Sequence, residues 1–156
     1  MTDKTQRPPN YYSDIDKYGK FGEDVFLSKY KNLKITDVRD DKRYQQNDID
    51  FIITKDKNYY VEVKTDTVAY KTGNLAFEVI SHGACGWSVV TKADFVYMVL
   101  ADDDLNYISS FWIDMKKWKE YCSNRKTPKK LNAIISENIV DLLCKISDLK
   151  KYGVIR

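Results

Sequence analysis

Cysteine is scarce in this sequence, and the few that occur are widely spaced. The chain of 156 residues has three, Cys85, Cys122 and Cys144, which is an odd number without a close pair. A disulfide framework needs an even set, so the sequence predicts free thiols in a reducing cytoplasm. The one histidine, His82, lies near Cys85 in the sequence, but a structural zinc site needs a second close pair of ligands, which is missing.

Long apolar stretches and a strong net charge are also absent. No run approaches the roughly 20 apolar residues that a membrane-spanning helix needs, and residues 1–14 lack the apolar segment of a secretory signal. We therefore expect a soluble protein with no membrane partner, with a flexible lead-in over residues 1–14 and a single domain over residues 15–156. The net charge of +3 is too small to indicate a polyanionic partner by itself.

Hydrophobic residues make up 43% of the chain and aromatic residues 13%, which is typical of a globular protein. Helical spacing of apolar residues begins at Gly19, and runs rich in β-branched and aromatic residues follow. The predicted strands are 35–38, 49–54, 59–65, 75–81, 95–101 and 107–113, and later helices are predicted over 115–122 and 136–149. This order predicts a mixed α+β (α/β) fold.

A glutamate lies in the apolar stripe of the first predicted helix. Glu23 is at helical spacing with Phe26, Leu27 and Tyr30. Its carboxylate is thus on or beside the core-facing side, where a buried charge needs a partner. Alternatively, Glu23 lies at the edge of the stripe in the first helical turn, where the helix dipole favours an acid.

The first predicted hairpin, formed by strands 49–54 and 59–65, brings acidic and basic residues together. Because side chains alternate along a strand, Glu62 and Lys64 share one face while Val61 and Val63 point to the core. A turn centred near residues 56–57 places Asp50 within one residue of both Glu62 and Lys64, and a slip of one residue brings true opposition. The three charged side chains are therefore expected to converge.

Two carboxylates that lie this close repel each other unless a cation lies between them. A hard divalent ion such as Mg²⁺ binds one or two carboxylates, keeps several waters and accepts a phosphate oxygen. A neighbouring lysine orients the attacking water or stabilises developing negative charge. The pattern favours metal-assisted hydrolysis of phosphodiesters, and the plain alternative is a solvated hairpin with charges alternating along its outer face.

The ordered set of Glu23, Asp50 and Glu62-Val63-Lys64 resembles the PD-(D/E)xK nuclease superfamily, which includes Holliday-junction resolvases and small phage-encoded nucleases. The resemblance covers about residues 19–113. It implies a restriction-endonuclease-like core, with a central mixed β-sheet flanked by helices. It also implies that Asp50, Glu62 and the main-chain carbonyl of Val63 bind Mg²⁺ or Mn²⁺, that Lys64 assists the water, and that Glu23 is an extra ligand.

Some positions near this motif leave alternatives open. Asp48 competes with Asp50 as the metal ligand, and the family's proline is absent because Ile49 precedes Asp50. Glu78 is either an accessory acid near the site or an outward polar residue. Trp87 either stacks on a base or belongs to the core, and the core is favoured.

Several residues are candidates for contacts to nucleic acid. A basic segment over residues 116–130 is interleaved with aromatic residues, a pattern that suits a phosphate backbone but also a solvated helix and loop. The candidates for phosphate contacts are Lys71, Asn74, Lys116, Lys117 and Lys126.

Two hypotheses follow. The first is a Mg²⁺-dependent deoxyribonuclease that cuts DNA, for which a two-fold homodimer would be the simplest way to cut both strands. The second is a catalytically inactive module with a nuclease fold that binds nucleic acid or a protein partner.

Overall fold

The computed structural model describes residues 11–124, 132–136 and 138–156. The helices are α1 (Tyr11–Lys29), α2 (Lys42–Gln45), α3 (Ala69–Thr72), α4 (Trp87–Val90), α5 (Met115–Ser123) and α6 (Ile146–Lys151). The strands are β1 (Ile35–Asp37), β2 (Phe51–Thr54), β3 (Asn58–Asp66), β4 (Asn74–Ser81), β5 (Ala84–Cys85), β6 (Phe95–Ala101), β7 (Tyr107–Asp114), β8 (Asn132–Ser136) and β9 (Ile139–Lys145). This mixed α+β architecture, with a central mixed sheet flanked by helices, confirms the predicted class.

The central sheet has five strands in the order β1-β2-β3-β6-β7. Strands β3 and β6 run parallel, whereas the other neighbouring pairs are antiparallel. A parallel pair needs a long crossover connection, and here residues 67–94 supply it with α3, β4, β5 and α4. Almost all of β6 is buried, as expected for a strand that is covered on both faces.

The two faces of the central sheet pack against different layers. On one face, Phe26 of α1 packs with Val61 and Val63 of β3 and with Tyr97 and Val99 of β6. On the other face, Val96, Met98 and Leu100 belong to a larger cluster that includes residues of β4, α5 and α6. The crossover therefore folds back over the face of β3 that carries Glu62 and Lys64.

A second sheet of four strands has the order β5-β4-β9-β8. The helix predicted over residues 136–149 is wrong, because this segment contains β9, which pairs with β4 from Ser81↔Ile139 to Asn74↔Lys145. Only residues from Ile146 onward form the short helix α6. The apolar positions fit helical spacing, but the β-branched residues of this segment also suit a strand. Pairing with the open edge of β4 favours the strand over the helix.

The other predicted elements are present. The β2–β3 and β6–β7 hairpins form, and Asp114 caps α5, with its carboxylate accepting a hydrogen bond from the Lys117 N–H at 3.1 Å. Helix α1 begins at Tyr11, within the stretch predicted as a lead-in, and residues 1–10 lie outside the described part of the chain. None of the described helices is both long enough and apolar enough to cross a membrane.

Helix α1 lies unusually close to β3 at Gly22. A Cβ atom at this position would be 2.3 Å from Oγ1 of Thr65, and that hydroxyl donates a hydrogen bond to the Tyr18 carbonyl at 2.7 Å. Glycine is therefore required by close approach and not by backbone conformation. The contact also sets the position of the next residue, Glu23.

Gly22→Ala and Gly19→Ala are a matched pair on this helix. We expect Gly22→Ala to lower the free energy of unfolding by about 1–3 kcal/mol, because Thr65 must move and lose its hydrogen bond. Gly19→Ala should raise it by up to about 1 kcal/mol, because no atom lies within 4 Å and alanine favours the helix. Urea denaturation measures both, and changes of the same sign would contradict the close approach.

Candidate active site

The candidate site lies where β2 and β3 begin to diverge. The last ladder bond at this end runs from the Asp50 N–H to the Val61 carbonyl at 2.9 Å. Two residues further along β3, the Val63 N–H donates a hydrogen bond to the Asp50 carboxylate at 2.8 Å. Because the Asp50 side chain replaces a strand partner, its carboxylate is fixed at the edge of the hairpin.

Glu62 lies next to this point on the face opposite Val61 and Val63. Its side chain is only 7% exposed, and its Oε1 atom is 2.7 Å from the Lys64 ammonium nitrogen. Its other oxygen, Oε2, is buried and has no hydrogen-bond partner within the described residues. A buried carboxylate oxygen without a partner is costly unless a donor or a cation approaches it.

The pKa values of the Glu62 and Asp50 carboxyl groups are both raised. Burial raises the pKa of Glu62 to about 7, against the opposing effect of Lys64, and the charges of Asp48 and Asp50 add to the rise. Burial also raises the pKa of Asp50, which the hydrogen bond from Val63 and the charge of Lys64 partly offset. A positive charge placed between the two carboxylates would lower both pKa values.

Asp48, the alternative to Asp50, lies outside the strand. Its φ of 54° puts it in the left-handed region, whereas Asp50 lies directly before β2, which begins at Phe51. Its backbone carbonyl accepts a 3.4 Å hydrogen bond from the Thr91 hydroxyl. Asp48 therefore contributes charge to the site, whereas Asp50 has the directly anchored carboxylate.

Glu23 reaches the site from α1, but it is paired. Arg39 donates a hydrogen bond to the Glu23 carboxylate and two more to Asp37, at 3.0 and 2.6 Å. Burial raises the pKa of Glu23, and Arg39 opposes the rise. The negative charge of Asp50 raises the pKa of Glu23 further. Sequence reasoning missed Arg39, which lies in the charged connection after β1 and has no spacing that marks it.

Lys64 is held by an aromatic ring as well as by Glu62. Its ammonium nitrogen is 4.9 Å from the ring centroid of Trp87, which is within the range of a cation–π contact. Trp87 in turn packs against Phe77 of β4, with ring centroids 5.7 Å apart. The tryptophan is thus part of the core, as the sequence favoured, and it also positions the lysine.

Glu78 is hydrogen-bonded to the start of α4. Its Oε1 atom accepts a 3.4 Å hydrogen bond from the Trp87 N–H, and its carbonyl accepts one from the Ser88 hydroxyl at 2.6 Å. Gly86 allows this docking, because a Cβ atom there would be 2.4 Å from the Glu78 carbonyl oxygen. Glu78 anchors α4, so its link to Lys64 is indirect.

The candidates for phosphate contacts fall at two ends of the central sheet. Lys71 forms an ion pair with Asp103 in the loop between β6 and β7, close to Asn74 in sequence. Lys116 and Lys117 are exposed on α5, which begins at the other end of the sheet, where Asp114 pairs with Phe95. Lys126 lies outside the described residues.

Within the described ranges, no three His, Cys, Asp or Glu side chains lie close enough together to hold a metal ion as a group. No family model matches the sequence, and no curated protein is significantly similar to it. The fold and site define a mixed α+β protein with one buried carboxylate, one half-buried carboxylate and a lysine where two strands diverge.

Proposed function

We propose that the protein is a Mg²⁺- or Mn²⁺-dependent endonuclease that hydrolyses DNA phosphodiester bonds, built on a restriction-endonuclease-like core. The observation that carries the proposal is the buried Oε2 atom of Glu62, which has no hydrogen-bond partner among the described residues and lies beside the anchored carboxylate of Asp50 and the ammonium of Lys64. The arrangement matches the order of residues that resembles the PD-(D/E)xK superfamily.

The residues present fit a hard divalent cation. Asp50 and Glu62 would hold it with their carboxylates, and the main-chain carbonyl of Val63 would be a third oxygen ligand. The raised pKa values of both acids are what a site shaped for a cation would show without one. When bound, the ion lowers the pKa of a coordinated water and neutralises charge on the scissile phosphate.

Lys64 supplies the second part of the chemistry. Its ammonium is close to Glu62 and is restrained by the ring of Trp87, so it can donate a hydrogen bond to the attacking water or to a phosphate oxygen. Arg39 bridges Glu23 and Asp37, offsets one of their two negative charges and favours the ionised form of Asp50. The cation left to face a substrate whose negative charge increases in the transition state is therefore Lys64.

The activity is tested on labelled single-stranded, duplex, flapped and four-way-junction DNA with Mg²⁺, Mn²⁺ or EDTA. We expect cutting of at least one substrate that EDTA abolishes. Lys64→Met should slow this cutting by about 10²-fold or more, because it removes the positive charge near the phosphate and keeps a side chain of similar length. Lys20→Met is the control, since Lys20 is exposed on α1 and pairs only with Asp24 among the described residues.

The competing function is a nuclease-fold module that binds without cutting. The observation in its favour is that Lys64 already neutralises one oxygen of Glu62 and that the described residues contain no third carboxylate ligand. Calorimetric titration with Mn²⁺ separates the two. Binding that is lost in Asp50→Asn supports the nuclease, whereas no binding by the unmodified protein together with no cutting supports the module.

A further inference from the structure

Two depressions meet at the end of the central sheet where the β2–β3 hairpin turns. One has a volume of about 310 Å³ and is lined by aromatic rings, and the other has a volume of about 450 Å³ and is lined by lysines. Both include Tyr59 and Phe95, so they form one continuous surface. We call it the hairpin-end surface, and its defining residues are Tyr30, Tyr59, Phe95, Trp112, Lys57, Lys92, Lys116 and Lys119.

The aromatic half is a set of half-buried rings in fixed positions. Phe95 meets Trp112 edge to face at 6.0 Å, and it lies 6.1 Å from the ring of Tyr59. The Trp112 indole N–H donates a hydrogen bond to the Tyr30 hydroxyl at 2.7 Å. Rigid rings with partly open faces are what stacked bases use, and such stacking tolerates any base sequence.

The basic half carries a surplus of positive charge. Its four lysines form no ion pair with any described residue. The two acids of the groove, Asp94 and Asp114, accept backbone N–H groups from Tyr60 and Lys117. The carboxylates are thus engaged in fixing the loop and the helix, and the lysines remain free for a polyanion.

The rings and the lysines adjoin each other. The ammonium of Lys57 is 5.1 Å from the ring centroid of Tyr59, so a chain that stacks on the rings would have its phosphates near the lysines. Tyr59 is three residues from Glu62 on β3, about 10 Å along the strand, but its ring lies on the α1 face and Glu62 lies on the opposite face. A strand stacked on the rings would have to pass around the end of the sheet to reach Glu62, which takes more than the roughly three nucleotides that span 10 Å at a rise of 3.4 Å per base.

We propose that the hairpin-end surface binds a single-stranded segment of nucleic acid. Its lysines contact the phosphates, and its rings receive unpaired bases. Duplex DNA would offer the lysines phosphates but would keep its bases stacked away from the rings. The idea that this surface guides a strand to the cutting site rests on the proposed nuclease function. The binding of a single strand does not depend on that function.

The test is fluorescence anisotropy with a labelled oligodeoxythymidine in EDTA, so that cleavage plays no part. We expect Lys92→Ala/Lys119→Ala to weaken binding about tenfold and to reduce the slope of log affinity against log salt by about 1.4. Phe95→Leu should weaken binding by about tenfold without changing this slope, because it removes a stacking face and no charge.

The matched control is Lys150→Ala/Lys151→Ala, which removes the same charge from exposed positions on α6. No binding by the unmodified protein, or variants of the surface that bind like this control, would overturn the inference. Binding that depends on the surface in a protein that cuts no substrate would leave the inference standing and reject the nuclease. DNA cutting that the surface variants do not change, together with no oligodeoxythymidine binding, would reject this inference and leave the proposed nuclease function standing.

Discussion

If the proposed nuclease function holds, Glu62→Gln is expected to reduce metal-dependent DNA cleavage by about 10³-fold or more, because the divalent ion would lose one of the two carboxylates proposed to hold it. The change is nearly isosteric, so the fold should persist. Glutamine also removes a buried charge whose only partner in the described part of the chain is Lys64. The measurement is the cleavage rate of the substrate that the unmodified protein cuts best, with circular dichroism to show that the variant is folded.

Glu120→Gln is the control for this experiment, since Glu120 is exposed on α5. It should cut at the rate of the unmodified protein. A folded Glu62→Gln protein that still cuts DNA at a comparable rate would remove Glu62 from the proposed chemistry. Loss of cleavage together with loss of calorimetric Mn²⁺ binding would locate the defect at the metal ligand.

In EDTA, Glu62 should make the protein less stable as pH rises from about 4.5 to about 7. The folded pKa is raised from its ordinary value of 4.5 to about 7, so in this range the folded state holds a proton that the unfolded state has released. Stability therefore falls with pH through this window and is level above it. The full shift corresponds to about 3 kcal/mol, at 1.36 kcal/mol for each pKa unit.

Comparison with Glu62→Gln isolates this contribution, because other titrating groups are common to both proteins. Urea denaturation measures the free energy of unfolding of both proteins across this window. Relative to the unmodified protein, the variant should become more stable by about 3 kcal/mol by about pH 8, with almost no change near pH 4.5. Mg²⁺ should narrow the gap at high pH if it binds the ionised carboxylate. A gap that does not change with pH would show that Glu62 is not buried as the structure has it.

The hairpin and the meeting of Asp50, Glu62 and Lys64 could be predicted because the signals are local. Alternation along β3 places Val61 toward α1 and Glu62 on the other face, and a short polar turn fixes the pairing with β2. The predicted register was one residue from the observed one, in which Phe51 pairs with Val61. Side-chain alternation requires a slip of one residue without giving its direction, and the observed register places Asp50 opposite Glu62.

The segment over residues 136–149 could not be predicted in the same way. Its apolar residues satisfy helical spacing, and the choice of a strand depends on β4, which is more than 50 residues earlier in the chain. The same applies to the environment of the site. Nothing near Glu23 in the sequence indicates Arg39, and nothing near Lys64 indicates the ring of Trp87.

The sequence by itself determined the strands of the hairpin, the faces of their side chains and the order of the acids and the lysine, because each depends on neighbours within a few residues. The tertiary structure alone decided that the outer face of β3 is covered and that Glu62 is buried, with one oxygen that no described residue pairs. The crossover between β3 and β6 causes this burial by folding back over that face with α4. Burial raises the free energy of an ionised carboxylate, and only contacts between distant parts of the chain can produce it.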